Sequence, residues 1–126
     1  MDVLLDTHVF LWWNDAPEKL RVEARDVIRD SANAVYVSAA SIWEIAIKRR
    51  LGRLEFTNPV IDAMIKNGFA PLPISPQHAE QAGALPLLHT DPFDRMLVAQ
   101  AQLESLTLVT ADERIAPYAV AQLRAR

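Results

Sequence analysis

The chain of 126 residues has no cysteine. Disulfides, zinc–thiolate centres and cysteine nucleophiles are therefore excluded, and the absence fits a reducing cytosol. A basic excess is also missing. Lys and Arg number 13 against 16 Asp and Glu, a formal net charge of −3, so overall charge gives no electrostatic footprint for nucleic acid. A metal ion held among acids would offset part of that negative charge locally. No apolar stretch is long enough to span a bilayer. Met1-Asp2-Val3 lacks the basic start and long apolar core of a secretion signal. The expectation is a soluble, cytoplasmic protein with no membrane contact. There is no internal repeat, low-complexity tract or linker, so one domain over residues 1–126 is expected. What the chain does have is apolar residues, at 51%, enough for one real core and too many for a disordered chain.

Short apolar runs alternate with helical patterns. Val3–Leu5, Ala34–Val37 and Leu106–Thr110 read as buried strands. Phe69–Ile74 carries Pro71 and Pro73 and would be an edge or poorly paired strand; Tyr118–Leu123 is a candidate last strand. Helices are expected from about His8 to Trp13, from Pro17 to Asp30, from Ser38 to Leu51, from Asn58-Pro59 to Gly68, from Ser75-Pro76 to near Gly83, and from Asp91-Pro92 to Leu103. In the second of these, Leu20, Ala24, Val27 and Ile28 share one face. Leu85–Thr90 is a loop. This alternation predicts a three-layer α/β domain with a mainly parallel central sheet.

Four carboxylates occupy comparable places in that pattern: Asp6, Glu44, Asp94 and Asp112. Asp6 closes the first apolar run, where it can equally cap the next helix with Thr7. Glu44 fits a capping box from Ser41. Ser38, directly after a strand, is the better cap, and that places Glu44 in the second turn beside Ile42, Trp43, Ile45 and Ile47. A carboxylate so short of water needs a partner. Asp91 is a natural N-cap before Pro92, whereas Asp94, one turn in, is less well explained by capping. Asp112 follows a strand within Thr110-Ala111-Asp112, where a hydroxyl and a carboxylate lie together. In open α/β sheets, ligands collect outside the carboxyl ends of the strands. If the four acids converge there, their all-oxygen donor set favours a hard cation, Mg²⁺ or Mn²⁺. Asp91, Arg95, Thr110, Ser38 and Thr7 are supporting or substrate-binding candidates, with Arg95 free to pair with an acid or a phosphate.

Other side chains carry less. His8 and His89 lack a partner at ligand spacing, though His89 lies near the Asp91–Asp94 helix start and is a candidate substrate contact. His78 reads as helix surface. Trp12 and Trp13 cannot both face one core, so one is expected against the sheet and the other towards a partner. Lys48-Arg49-Arg50 and Arg53 form the densest basic cluster, placed favourably at a helix C-terminus.

The motifs Val-Leu-Leu-Asp6-Thr-His, Ser38-Ala-Ala-Ser-Ile-Trp-Glu44-Ile, Asp91-Pro-Phe-Asp94-Arg-Met-Leu-Val-Ala-Gln and Leu-Val-Thr110-Ala-Asp112 occur in that order across nearly the whole chain. Together they resemble PIN-domain ribonucleases, and more narrowly the VapC-type toxins of toxin–antitoxin pairs. Ile115 stands where many relatives carry an aromatic residue, a packing change. The resemblance implies a Rossmann-like PIN fold, one or two Mg²⁺ or Mn²⁺ ions on Asp6, Glu44, Asp94 and Asp112, endoribonuclease activity, a VapB-type antitoxin and a homodimer. Water-mediated hydrolysis would leave 5′-phosphate and 3′-hydroxyl ends. Other readings of the same features are a non-catalytic PIN scaffold, a metal-dependent DNA nuclease and a phosphoacceptor receiver domain. The complete acid set argues against the scaffold. The receiver would want an acidic pair after the first strand and a lysine after a late one, and neither is there.

Overall fold

Successive side chains of a strand point to opposite faces, and the first strand shows the consequence. In the computed structural model, which covers residues 1–126, Val3 and Leu5 enter one core cluster while Leu4 enters the other. A strand buried on both faces is what a continuous apolar run specifies. The sheet has five strands, β1 (Asp2–Leu5), β2 (Ala34–Ser38), β3 (Ala70–Leu72), β4 (Thr107–Thr110) and β5 (Gln122–Arg124), in the order β3-β2-β1-β4-β5. Every pairing is parallel. The helices are α1 (Thr7–Asp15), α2 (Val22–Arg29), α3 (Ala39–Arg50), α4 (Val60–Lys66), α5 (Pro76–Ala84) and α6 (Pro92–Glu104). Side chains of α1, α2 and α4 fill the first cluster around Phe10, and α5 and α6 fill the second around Leu97 and Leu108. The expected three-layer α/β architecture is therefore present, and no helix is long and apolar enough to cross a membrane.

The chain winds from β1 out to β3 and then returns to add β4 on the other side of β1. The order thus reverses between β1 and β4, at whose carboxyl ends ligands gather in such sheets. There Leu5 pairs with Val109, and the amide of Asp6 extends the ladder to the Val109 carbonyl at 3.0 Å.

Several local expectations shift. The helix expected over Pro17–Asp30 is a 3-10 turn at Pro17–Lys19 followed by α2. The break is tertiary: Arg21 is extended and its amide donates to the Ala125 carbonyl at 2.7 Å. Leu20, Ala24 and Ile28 are buried as their spacing predicts. Pro71 lies in the edge strand β3, where a missing N–H is tolerated. The last strand is shorter than expected because Tyr118 turns inward. His78 is not surface. It is buried, its ring accepts from the Ser75 amide in a reciprocal capping box, and its Nε2 meets Glu104 at 2.9 Å.

Candidate functional site

Each acid is delivered by an element end. Asp6 follows β1 and caps α1, Oδ1 accepting from the His8 amide at 3.2 Å. Its Oδ2 accepts from the Thr110 hydroxyl at 2.6 Å, and that hydroxyl in turn accepts from the Asp112 amide at 3.0 Å. Thr110 therefore ties the end of β1 to the end of β4 through one oxygen. Ser38 caps α3 by accepting from the Ala40 amide at 3.0 Å, which settles the helix start and places Glu44 in the second turn, 4% exposed. Asp91 caps α6, accepting from the amides of Phe93 and Asp94. Asp94 is then one turn inside, directed at the same region.

The acids interact. Burial pushes the Asp6 carboxyl above the ordinary range against the hydrogen bonds from Thr110 and His8, and the charge of Glu44 adds to the rise. The Asp94 carboxyl is pushed up to about 7, by burial first and then by Asp6, with Asp91 and Asp112 contributing and the His89 hydrogen bond opposing. Burial also acts upward on Asp112, but hydrogen bonds and charge from Arg114 hold it below the usual carboxylate range. Arg114 clasps Asp112 with Nε at 3.1 Å and Nη2 at 3.0 Å. Lys48 meets Glu44 Oε2 at 2.6 Å, whereas the buried Oε1 has no hydrogen-bond partner. Asp6 has no lysine or arginine partner.

His89 is more deeply involved than its sequence context suggests. It is buried, with Nε2 2.8 Å from Asp94 Oδ2 and 3.6 Å from Asp112 Oδ2. Ligand atoms of His89, Asp94 and Asp112 lie within 4.8 Å of one another. Its backbone is fixed by residues distant in sequence. The His89 amide donates to the Tyr118 hydroxyl at 3.0 Å, and that hydroxyl donates to the Pro86 carbonyl at 2.8 Å.

Arg95 proves unavailable to a phosphate or an acid. It is buried, and its guanidinium donates to the carbonyls of Ala82, Leu85 and Pro86 at 2.9–3.0 Å, with a longer bond to that of His89. The end of α5 and the irregular segment after it leave carbonyls that need donors, and Arg95 supplies them. Thr7 likewise serves the scaffold, donating to Ser41 Oγ at 2.9 Å between α1 and α3. Arg49 donates to the Asn58 carbonyl and lies over Phe56, and Lys48 is the member of the basic cluster that pairs with one of the four acids. Trp13 packs on Phe69 and donates to Asn67. Trp12 packs in part against the same core, contrary to the expectation that only one of the pair would, and also borders the space beside Asp6 and Asp112.

The donor set suits a divalent cation. Its core is carboxylate oxygen, two of the carboxylates are destabilised as anions by burial and by a neighbouring acid, and one buried carboxylate oxygen is unpartnered. A hard cation would answer all three conditions.

The pattern of the PIN domain matches residues 3–121. The chain is 34% identical over 116 residues to Ribonuclease VapC22 of Mycobacterium tuberculosis (strain ATCC 25618 / H37Rv), which spans 90% of this chain and 88% of that protein. It is 42% identical over 60 residues to Ribonuclease VapC16 of the same organism, 44% of this chain and 43% of that protein. Among solved structures, VapBC2 from Rickettsia felis, bound to a DNA fragment from their promoter, superposes with a TM-score of 0.74 at 14% identity, covering 100% of both chains. A toxin–antitoxin complex from Klebsiella pneumoniae superposes with a TM-score of 0.67 at 20% identity, covering 97% of this chain and 96% of that one. At such identities these two establish the shared fold.

Proposed function

The chain belongs to the PIN-domain family, and we propose that it acts as a VapC-type endoribonuclease, a toxin that hydrolyses RNA phosphodiesters with Mg²⁺ or Mn²⁺. The observation that carries the reading is that Asp6, Glu44 and Asp94 are all buried acids, with oxygens of Asp94 and Asp112 gathered around His89 within 4.8 Å and no lysine or arginine on Asp6 or Asp94.

We assign the metal to Asp6, Glu44, Asp94 and Asp112, as one or two ions. When bound, a divalent ion supplies charge to polarise the phosphodiester and to favour ionisation of the attacking water. The protein's own contribution is orientation. Thr110 and the His8 amide fix both oxygens of Asp6. His89 holds Asp94 Oδ2 and leaves Oδ1 free of it. Arg114 restrains Asp112 from the solvent side. Glu44 has a buried, unpartnered Oε1 while Lys48 holds Oε2. Lys48, 40% exposed along its side chain, is a cation near enough to Glu44 to meet substrate phosphate. Asp91 acts through the α6 cap that it forms. No serine, lysine or cysteine nucleophile is required.

The same acids give an antitoxin its target. A VapB-type partner that placed an arginine among them would form charge-assisted bonds and compete with the metal. Its apolar segment would cover exposed side chains of the toxin, which include Trp43 at 62% exposure. A homodimer and a cytoplasmic location belong to the same reading. The test is cleavage of RNA and of matched single-stranded DNA by purified protein in Mn²⁺, Mg²⁺ or excess EDTA. Cutting of RNA alone, abolished by EDTA, is expected. Preferential cutting of DNA, or equal cutting in EDTA once contaminating nuclease is excluded, would overturn it.

A further inference from the structure

Directly beside the acids lies a cavity of about 250 Å³, lined by Asp6, His8, Trp12, Ala111, Asp112 and Arg114. Two of its walls are acids of the candidate metal site, so anything seated in it sits against the reacting centre. Its aromatic wall is Trp12, one turn beyond His8 on α1. The two rings are 5.9 Å apart and tilted by 37°, short of a stack. The Arg126 guanidinium lies 5.6 Å from the Trp12 ring centroid. His8, Arg114 and Arg126 are all exposed, so the rim can rearrange around a ligand while Trp12, half-buried against the core, keeps its place.

We infer that this cavity is a nucleobase subsite, in which an unpaired RNA base next to the scissile phosphate stacks on Trp12. The inference rests on the ribonuclease reading and adds to it a specific contact. Single-stranded RNA is bound by splaying bases onto aromatic faces and Arg planes, with cationic groups following the backbone. Trp12 supplies the face. Arg126 now lies over that ring and, being exposed, must lift to admit a base beneath its guanidinium, and Arg114 puts a cation at the rim of the pocket. The neighbouring Trp13 cannot serve, because its ring and indole N–H are spent on Phe69 and Asn67. A base held at Trp12 would bring its own phosphate to Asp6 and Asp112, which shape the same cavity. The Trp pair is visible in the sequence; both rings pack in part against the core, and Trp12 alone of the two borders this cavity.

The test walks a single abasic nucleotide along a fluorescein-labelled, unstructured RNA of mixed sequence whose cut site has first been mapped. In the unaltered protein, one position adjacent to the cut should lower kcat/KM on the order of ten-fold or more, the range of base–aromatic stacking. Trp12→Leu should lower cleavage of the intact RNA by a similar factor and lose its sensitivity to the abasic site at that position alone. Trp12→Phe should restore most of both. Equal abasic penalties in the unaltered protein and in Trp12→Leu, or no sensitive position next to the cut in the unaltered protein, would overturn the subsite. The same walk by fluorescence anisotropy in EDTA separates the two ideas. Trp12-dependent loss of binding at one abasic position supports the subsite even if no RNA is cut, which would instead defeat the nuclease reading. Binding that ignores both changes overturns the subsite. Melting curves of each variant report folding independently.

Discussion

Replacing Asp94 by asparagine keeps the side chain's shape and removes the charge that its surroundings resist. The carboxyl titrates near 3.8 when unperturbed and is pushed up to about 7 in the fold. Each unit is worth 1.36 kcal/mol, so ionising Asp94 at neutral pH costs the metal-free fold about 4 kcal/mol at most. Part of that cost is shared with Asp6, and the lost carboxylate–His89 bond returns a little, so the expected gain is about 1–3 kcal/mol. The sign follows from protonation. Below about pH 4 the group is protonated in both folded and unfolded chains, and the variant gains nothing. Between about pH 4 and 7 the folded state keeps a proton that the unfolded state has released, so the unaltered protein weakens as pH rises. Above about pH 7 the penalty is complete. Thermal melts in EDTA at either end of this window should therefore show the variant equal to the parent in acid and several degrees more stable near neutrality. Added Mn²⁺ should raise the parent's Tm and move the variant less. A variant that melts lower than the parent at neutral pH, or that gains equally at both pH values, would refute the idea that Asp94 is held in an electrostatically strained site.

The other expectations concern the residues around the acids. His89→Ala should weaken Mn²⁺ binding by about 10–100-fold, the usual effect of losing a group that orients a ligand, with the fold retained by circular dichroism; unchanged metal affinity by calorimetry would remove His89 from the site. Arg95→Met removes the guanidinium that donates to the Ala82, Leu85 and Pro86 carbonyls, of which Pro86 keeps the Tyr118 hydroxyl, and should cost about 3 kcal/mol or more by urea unfolding, whereas a cost near zero would mean that water replaces the guanidinium. Ser38→Ala, which removes the α3 cap, should cost about 1 kcal/mol in the same assay. Glu44→Gln should abolish RNA cleavage with stability preserved, because it removes a charge that the fold leaves half-unpaired; a rate equal to the parent's would take Glu44 out of the mechanism.

Local chemistry made much of this legible in the sequence. Val3-Leu4-Leu5 specifies a strand buried on both faces, Asp91-Pro92 starts a helix, and Ser38 caps one, so Glu44 and Asp94 acquire their turn positions from their own neighbourhoods. The parallel sheet and the convergence of the acids follow from such signals. Contacts set by distant residues were not legible. His89 sits in a loop with no periodicity, and only Tyr118 and Arg95 bring it to Asp94. Arg95 beside Asp94 looks like a charge partner until the loop's carbonyls claim it. The split at Leu20–Arg21 depends on Ala125 at the far end of the chain. His78 has a local signal of its own: in Ser75-Pro76-Gln77-His78 the imidazole takes the place that glutamate usually fills in a capping box.

The most direct test of a metal site built from Asp6, Glu44, Asp94 and Asp112 is the chemistry of the ends it leaves. RNA cut by the purified protein in Mn²⁺, and in a parallel sample with excess EDTA, is analysed by mass spectrometry. Hydrolysis at these acids predicts 5′-phosphate and 3′-hydroxyl ends, formed only when the divalent ion is present. Ends bearing 2′,3′-cyclic phosphate, or the same products in EDTA, would place the chemistry with the RNA's own hydroxyl or with another group and contradict it.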